Sequence, residues 1–169
     1  MTTETVSHAL ERIRSVERRL AEHAVRPLPT ALSDPDPGEE ERWEAGQVWA
    51  HLAEFPAYWL DQVRQILAAH DGGATGPVPF GRLKTDAGRV GAIERERRTD
   101  PGELLRRVTA QIEELSTVLA ALPAGAWEVM GLHPARGEMS VRTIVERFVL
   151  SHLEEHADQL DLLRGSLST

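Results

Sequence analysis

The sequence predicts an all-α protein, a four-helix bundle with a long, irregular connection between its second and third helices. Four long stretches repeat apolar residues at steps of three and four, which is the spacing of one face of a helix. Prolines, glycines and capping residues separate these stretches. We see no alternating pattern typical of a strand. With 169 residues, we expect one domain, residues 1–169, around a single core.

The first predicted helix spans about residues 3–24, and Pro27 and Pro29 follow its end. Its apolar face consists of Val6, Leu10, Ile13, Val16 and Leu20. His8 and His23 lie off this face or at its edge, so we interpret both as solvated surface residues. A connector rich in proline, aspartate and glycine then leads to the second helix.

The second predicted helix starts at about Glu40 or Trp43 and runs to His70. Its apolar face consists of Val48, Leu52, Phe55, Trp59, Val63 and Ile66. His51 lies on this face together with polar side chains, and such a row on a buried face indicates a pocket. The polar members are Gln47, Tyr58 and Gln62. Pro56 lacks the N–H that the helix needs, so we expect a kink one turn after His51.

Residues 72–99 form the irregular connection, which contains several glycines and prolines. A short helix is expected within residues 87–98. Basic residues outnumber acidic ones in this segment: Arg82, Lys84, Arg89, Arg95, Arg97 and Arg98. A solvated surface of mixed charge is the simpler interpretation, and a binding surface for an anionic ligand is the alternative.

The third predicted helix begins with Asp100 as its N-cap and Pro101 at its first position, and it ends before Pro123. Its apolar face consists of Leu104, Leu105, Val108, Ile112, Leu115, Leu119 and Leu122. A loop follows, in which we interpret His133 as structural or exposed, with the rim of a pocket as the alternative. Ser140 caps the fourth helix, which ends at Gly165.

The fourth helix contains His152 and His156, four residues apart and therefore on one face, with Cβ atoms about 5–6 Å from each other. Apolar residues at steps of four share this face: Ile144, Phe148 and Leu160. Buried imidazoles need partners, which can be a metal ion or a hydrogen-bond network. Because bundles build metal sites from facing helices, His51 is the natural third partner.

Three imidazoles leave one position open on a tetrahedral ion, as in catalytic rather than structural sites. Such an ion can activate a water, or bind a thiol as its thiolate. The chain has no cysteine, so any thiol would come from a cosubstrate. By helical offset, four residues are candidates to orient the imidazole rings: Glu54, Tyr58, Glu155 and Gln159. Leu153 follows the first histidine where zincin proteases have glutamate, which argues against that class.

Three segments of the chain resemble the DinB/YfiT-like family of four-helix-bundle metalloenzymes: Val48–Glu54, Gly137–Arg142 and Ser151–His156. The resemblance implies a metal triad of His51, His152 and His156 that binds zinc, nickel or iron. Some relatives are thiol-dependent S-transferases or isomerases that use mycothiol or bacillithiol, among them the mycothiol-dependent maleylpyruvate isomerases. The resemblance also implies a homodimer.

We therefore predict a cytoplasmic, divalent-metal-dependent enzyme that acts on a small molecule. The reaction would be a transfer, thiol-dependent and of the mycothiol type, or a hydrolysis; the sequence does not identify a catalytic acid or base. A net charge of −8 argues against a nucleic-acid partner, and no segment has the length of a membrane span. The alternatives are a non-catalytic metal- or ligand-binding bundle and a purely structural homodimer with an empty or water-filled pocket.

Overall fold

Four long helical units pack side by side, as predicted, and one short helix covers a side of the bundle. The computed structural model describes residues 3–35 and 41–165. Its α-helices are α1 Thr3–Ala24, α2 Ala45–Leu52, α3 Phe55–Asp71, α4 Ala87–Glu96, α5 Pro101–Ala121, α6 Val141–Val145 and α7 Ser151–Gly165. A 3-10 turn occupies Ala124–Glu128, and a π-helical turn, Glu146–Leu150, joins α6 to α7. We call residues 141–165 the C-terminal helix.

The apolar faces that the sequence predicts meet in one continuous core. Each helical unit contributes large side chains that are almost completely buried: Ile13 and Leu20 of α1, Leu52 of α2, Ile66 of α3, Ile112 and Leu115 of α5, and Leu153 and Leu160 of the C-terminal helix. Because periodicity places these residues on one side of each helix, burying that side removes apolar surface from water and stabilises the bundle.

The second predicted helix is interrupted at the expected place, as a break rather than a kink. α2 ends at Leu52, and Pro56 occupies the first turn of α3, where its missing N–H has no intrahelical partner to lose. The carbonyl group of Ala53 in the break accepts a 2.9 Å hydrogen bond from the Gln111 side chain of α5. The start predicted at Trp43 is two residues early, and the alternative start at Glu40 lies outside the described residues.

The short helix expected in the connection is α4, which packs against α2. Asp86 caps it by accepting a 2.9 Å hydrogen bond from the Arg89 N–H. Gly46 allows the close approach, because a Cβ at that position would clash with the carbonyl oxygen of Arg97 at the end of α4. The Arg97 guanidinium also pairs with Glu44 at 2.6 Å. These contacts hold α4 against α2, the helix that bears His51.

A three-stranded sheet corrects the prediction that the chain has no strands. Its strands are β1 Val78–Pro79, β2 Met130–His133 and β3 Gly137–Ser140, with β1 parallel and β3 antiparallel to the central β2. With two to four residues each, they are too short to show an alternating pattern. Gly131 lets the sheet lie against the bundle, because a Cβ there would be 2.8 Å from the Cδ1 atom of Ile66 in α3 and 2.6 Å from a ring carbon of Phe80.

Ser140 caps the C-terminal helix, as predicted, because its hydroxyl accepts a 3.2 Å hydrogen bond from the Thr143 N–H. The π-helical turn adds one residue to the helical repeat, so the faces before and after it are rotated relative to each other. Phe148 therefore does not share the histidine face; its ring stacks on Trp59, 4.3 Å between centroids. After the turn, the buried face consists of Leu153, Ala157, Leu160 and Leu163. His152 and His156 lie at its edge.

Ion pairs and hydrogen bonds join α1 to the C-terminal helix, and they correct the interpretation of His23. The His23 ring is buried. Its Nε2 atom lies 2.7 Å from the Oδ1 atom of Asp161, and its Nδ1 atom accepts a 3.1 Å hydrogen bond from the Arg164 guanidinium. A position at the edge of the apolar face becomes buried because α7 packs over it. His8 is exposed, as predicted. Among the helices that the structure describes, none combines the length and apolarity that crossing a membrane requires.

Candidate metal centre

The structure brings His51, His152 and His156 together. His51 is buried in the last turn of α2, and the other two lie on the first turns of α7. The Nε2 atom of His152 is 3.0 Å from that of His51 and 3.2 Å from that of His156. One nitrogen atom from each ring lies within 4.8 Å of the other two. Bonds of about 2.0–2.1 Å to a tetrahedral zinc ion place ligand nitrogens roughly 3.3 Å apart, so the spacing fits one ion.

The other nitrogen of each ring, Nδ1, faces an oxygen atom one helical turn further along the chain. These pairs are His156–Gln159 at 2.8 Å, His152–Glu155 at 3.2 Å and His51–Glu54 at 3.4 Å. The last distance is long for a hydrogen bond, and neither atom has another partner within the described structure. Three of the four residues predicted to orient the rings are therefore in place. The fourth, Tyr58, packs instead against the Arg82 guanidinium at 3.8 Å.

This arrangement favours a cation between the rings. When a neutral imidazole donates its Nδ1–H to an oxygen, its Nε2 atom carries only a lone pair. His152 and His156 have Nδ1 within hydrogen-bond distance of an oxygen, and their Nε2 lone pairs, 3.2 Å apart, repel each other unless a Lewis acid lies between them. A nitrogen-only donor set suits zinc, nickel or iron, and a carboxylate or amide on the second nitrogen is the usual support for a ligating histidine.

Burial keeps two of the rings neutral. It lowers the pKa of His51 well below its usual value, and repulsion between His51 and the other two histidines when they are protonated lowers it further. Burial, again with the adjacent His152, lowers the pKa of His156 to about 3. Protons therefore do not compete with a metal ion for these two imidazoles at neutral pH.

A buried ion pair holds the Glu54 carboxylate in front of His51. The guanidinium of Arg82, from the connection, pairs with one Glu54 oxygen, while the other oxygen faces the His51 ring. Both partners are mostly buried. The sequence placed Arg82 only in a basic segment, and no local pattern could show that it would reach back to α2. Arg82 therefore pairs with a carboxylate inside the protein, and it does not support the alternative of a binding surface for an anionic ligand.

Two aromatic rings enclose the cluster. The Phe55 ring lies 4.7 Å from that of His152 and 5.1 Å from that of His51, measured between centroids. Trp43 stacks almost parallel to His156, at 6.1 Å. Two hydrogen bonds fix the backbone of Trp43. Its backbone N–H donates to the Ser33 hydroxyl at 3.0 Å, and its carbonyl oxygen accepts from the Ser33 backbone N–H at 2.8 Å. Neither aromatic residue was expected at the site from the sequence; the only signal was the position of Phe55, four residues after His51.

A cavity of about 740 Å³ opens beside the cluster. His152, His156 and Trp43 line it from one side, and Arg89 of α4 lines it from another. Gln47, one of the polar residues expected in a pocket, also lines this cavity, whereas Gln62 instead accepts a hydrogen bond from the Gly81 N–H at 2.7 Å. The cavity gives a small molecule a path to the imidazoles.

His133 does not belong to this centre. Its ring is buried, packs 5.4 Å from the Phe148 ring between centroids, and occupies the space that a side chain at position 81 would need. Its Nδ1 atom accepts a 3.2 Å hydrogen bond from the Ala135 N–H. Burial lowers its pKa. The structural interpretation is therefore confirmed, because the residue packs β2 against the bundle.

Fold and site together define a four-helix bundle with a three-histidine cluster beside an open cavity. The chain belongs to the DinB superfamily, whose model matches residues 12–160. This agrees with the resemblance read from the sequence. None of the curated protein sequences matches the chain significantly.

Solved structures show the same fold at low sequence identity. One is YfiT from Bacillus subtilis, described as a probable metal-dependent hydrolase with an unusual four-helix bundle topology. It superposes with a TM-score of 0.74 at 16% sequence identity, and the match covers 99% of this chain and 90% of YfiT. An uncharacterised protein from Clostridium difficile 630 gives 0.60 at 10% identity and covers 98% of both chains. A mycothiol-dependent maleylpyruvate isomerase gives 0.59 at 16% identity over 95% of this chain, which spans 63% of the isomerase.

Proposed function

We propose that His51, His152 and His156 bind one divalent cation, zinc, nickel or iron, and that the protein is a metal-dependent enzyme acting on a small molecule. The observation that carries this proposal is the convergence of three Nε2 atoms at the wall of a cavity, while each Nδ1 atom faces an oxygen. Three protein ligands leave a position for substrate, which is the arrangement of a catalytic site.

The side chains around the site prepare it for this chemistry. Burial keeps His51 and His156 neutral, and the Glu54 carboxylate orients the His51 ring. Phe55 excludes water from one side of the cluster, whereas the cavity admits molecules from the other. A divalent ion bound there would supply Lewis acidity, which lowers the pKa of a water or thiol.

Transfer that uses a low-molecular-weight thiol of the mycothiol type is the leading reaction, with hydrolysis as the second. The chain has no cysteine of its own, so the thiol would enter through the cavity as a cosubstrate. The structural similarity to a mycothiol-dependent isomerase supports the use of such a thiol, and the similarity to YfiT, a probable metal-dependent hydrolase, supports hydrolysis. Cytoplasmic location stays a prediction from the sequence, and a homodimeric state stays a prediction from the family resemblance.

Elemental analysis of the untagged protein tests the metal site. We expect close to one metal ion per chain in the wild type and none in the His51→Ala or His152→Ala variant. His8→Ala, an exposed histidine on α1, is the matched control and should keep the metal. Wild-type protein that binds no zinc, nickel or iron even after incubation with each would overturn the proposal.

Turnover assays then separate an enzyme from a binding protein. With the metal restored, a panel of thiol-conjugation and ester- or amide-hydrolysis substrates should give turnover that His152→Ala abolishes. Tight binding of thiols or substrates without turnover would support the non-catalytic metal- or ligand-binding bundle instead.

A further inference from the structure

Three exposed apolar side chains surround the mouth of the cavity. Leu162 of α7 is 71% exposed, Leu32 of the connector after α1 is 55% exposed, and Val90 of α4 is 49% exposed. All three line the cavity, although they come from three different elements. They are three of the seven exposed large hydrophobic residues in the described part of the chain. Apolar surface that is gathered around a cavity rather than scattered marks a ligand contact.

This apolar surface continues from the mouth towards the histidines. Ile93 lies one turn after Val90 on α4, Leu163 follows Leu162 on α7, and both inner residues are buried and line the same cavity. His156 and Leu162 are six residues apart on one helix, which corresponds to about 9 Å along its axis. A ligand that reaches the imidazoles from the mouth therefore passes along apolar side chains.

Charged residues of both signs line the cavity. Lys84 and Arg89 line it together with a larger number of acidic residues. Two of these acidic residues have basic partners, because Glu94 pairs with Arg97 at 2.9 Å and Asp158 pairs with Arg19 at 2.5 Å. The apolar mouth is thus a clearer guide to the ligand than the charge.

We propose that the substrate is amphipathic: a polar reacting group points to the three histidines, and an alkyl or aryl group contacts Leu32, Val90 and Leu162 at the mouth. This inference rests on the proposed function, because it assumes that the reaction takes place at the histidine cluster. It adds a chemical class of substrate, and it makes Leu162 a specificity-determining residue.

Binding of alkyl hydroxamates to the zinc-loaded protein tests the proposal, because the hydroxamate group binds metal ions and the alkyl chain can be lengthened. Calorimetric titrations would compare acetohydroxamate, hexanohydroxamate and decanohydroxamate. We expect the affinity to rise with chain length, by up to about fourfold for each methylene group that the mouth buries. Leu162→Gln should reduce this rise and leave acetohydroxamate binding unchanged. Val25→Gln is the matched control, since Val25 is 83% exposed and does not line the cavity.

The outcomes separate the two proposals. Equal affinity for all three chain lengths, or the same rise in Leu162→Gln as in the wild type, would overturn the substrate class and leave the metal site intact. Failure of acetohydroxamate to bind would overturn the proposed function and this inference with it. If Leu162→Gln converted a dimer into a monomer in light scattering without changing the hydroxamate series, the mouth would be a contact between two copies, which also overturns the inference.

Discussion

Replacing Glu54 by glutamine tests whether its carboxylate supports metal binding through His51. The carboxylate is 16% exposed, and its oxygens face Arg82 on one side and the His51 ring, at 3.4 Å, on the other. Glutamine keeps the shape and an acceptor oxygen but removes the negative charge. Loss of such a supporting group typically costs 10- to 100-fold in metal affinity, about 1.4–2.7 kcal/mol. Because Arg82 already neutralises part of the charge, we expect the lower half of this range.

Competition with a chromophoric chelator at neutral pH measures this affinity. Arg82→Gln is the critical comparison, since it breaks the same ion pair but leaves the carboxylate beside His51. Both variants should lower the free energy of unfolding, because each removes one member of the buried ion pair and leaves the charge of the other member unpaired. Only Glu54→Gln should weaken metal binding. Glu155→Gln should have a smaller effect than Glu54→Gln, because Glu155 is 69% exposed and water screens its charge.

If folded Glu54→Gln protein, verified by circular dichroism, binds zinc as tightly as the wild type, the Glu54 charge does not support metal binding. Arg82→Gln must also leave metal binding stronger than Glu54→Gln does; an equal loss in both variants would contradict the prediction. In that case the ion pair would act by stabilising the fold around His51, and the charge of Glu54 would have no separate effect on the metal.

Three further predictions concern stability. Arg12 holds the pKa of Glu154 below its usual value through a 2.7 Å ion pair, so the pair stabilises the fold above the unfolded pKa of 4.5 and loses this effect as pH falls through the lower folded pKa. Glu154→Gln should therefore cost less than about 1 kcal/mol at pH 7, and nothing in strong acid, in urea titrations at several pH values. Gly131→Ala should lower the free energy of unfolding by about 1–3 kcal/mol, because the added Cβ would lie 2.6 Å from an aromatic carbon in the core. Zinc at 100 times its dissociation constant should add about 2.7 kcal/mol to the stability of wild-type protein and nothing to His156→Ala.

A specific result would contradict each of these predictions. If the stability difference between Glu154→Gln and wild type were the same at every pH, the ion pair would not be its cause. Gly125→Ala is the control for Gly131→Ala, since a Cβ at position 125 would meet open space; equal effects of the two would contradict the packing argument. A zinc-induced rise in melting temperature that persists in His156→Ala would place the metal elsewhere on the chain.

Helical faces and helix ends were predictable because they depend on residues that are close in sequence. The cap at Asp100, whose carboxylate accepts a 3.1 Å hydrogen bond from the Glu103 N–H, followed from residue type alone. So did the interruption at Pro56. The same local geometry predicted that Glu155 and Gln159 would each lie one turn after a histidine, within reach of its ring.

Strands and buried polar contacts were not predictable in this way. The expectation that the chain has no strands was wrong, because strands of two to four residues carry too little periodic signal. The sequence favoured a surface position for His23, because its burial depends on packing against α7. Its partner there, Asp161, lies 138 residues further along the chain. The π-helical turn has no sequence signature that we recognise, yet it turns Phe148 away from the histidine face.

The sequence by itself therefore determined the helices, their caps and the face on which each histidine lies, since these follow from the local geometry of the backbone. Only the tertiary structure decided that His51 would meet His152, a contact across 101 residues, and that Arg82 would reach Glu54 behind it. It also decided that Trp43 and Phe55 would enclose the imidazoles. The physical reason is that periodicity specifies which side of a helix is buried, whereas the partner of that side is chosen by the packing of the whole core.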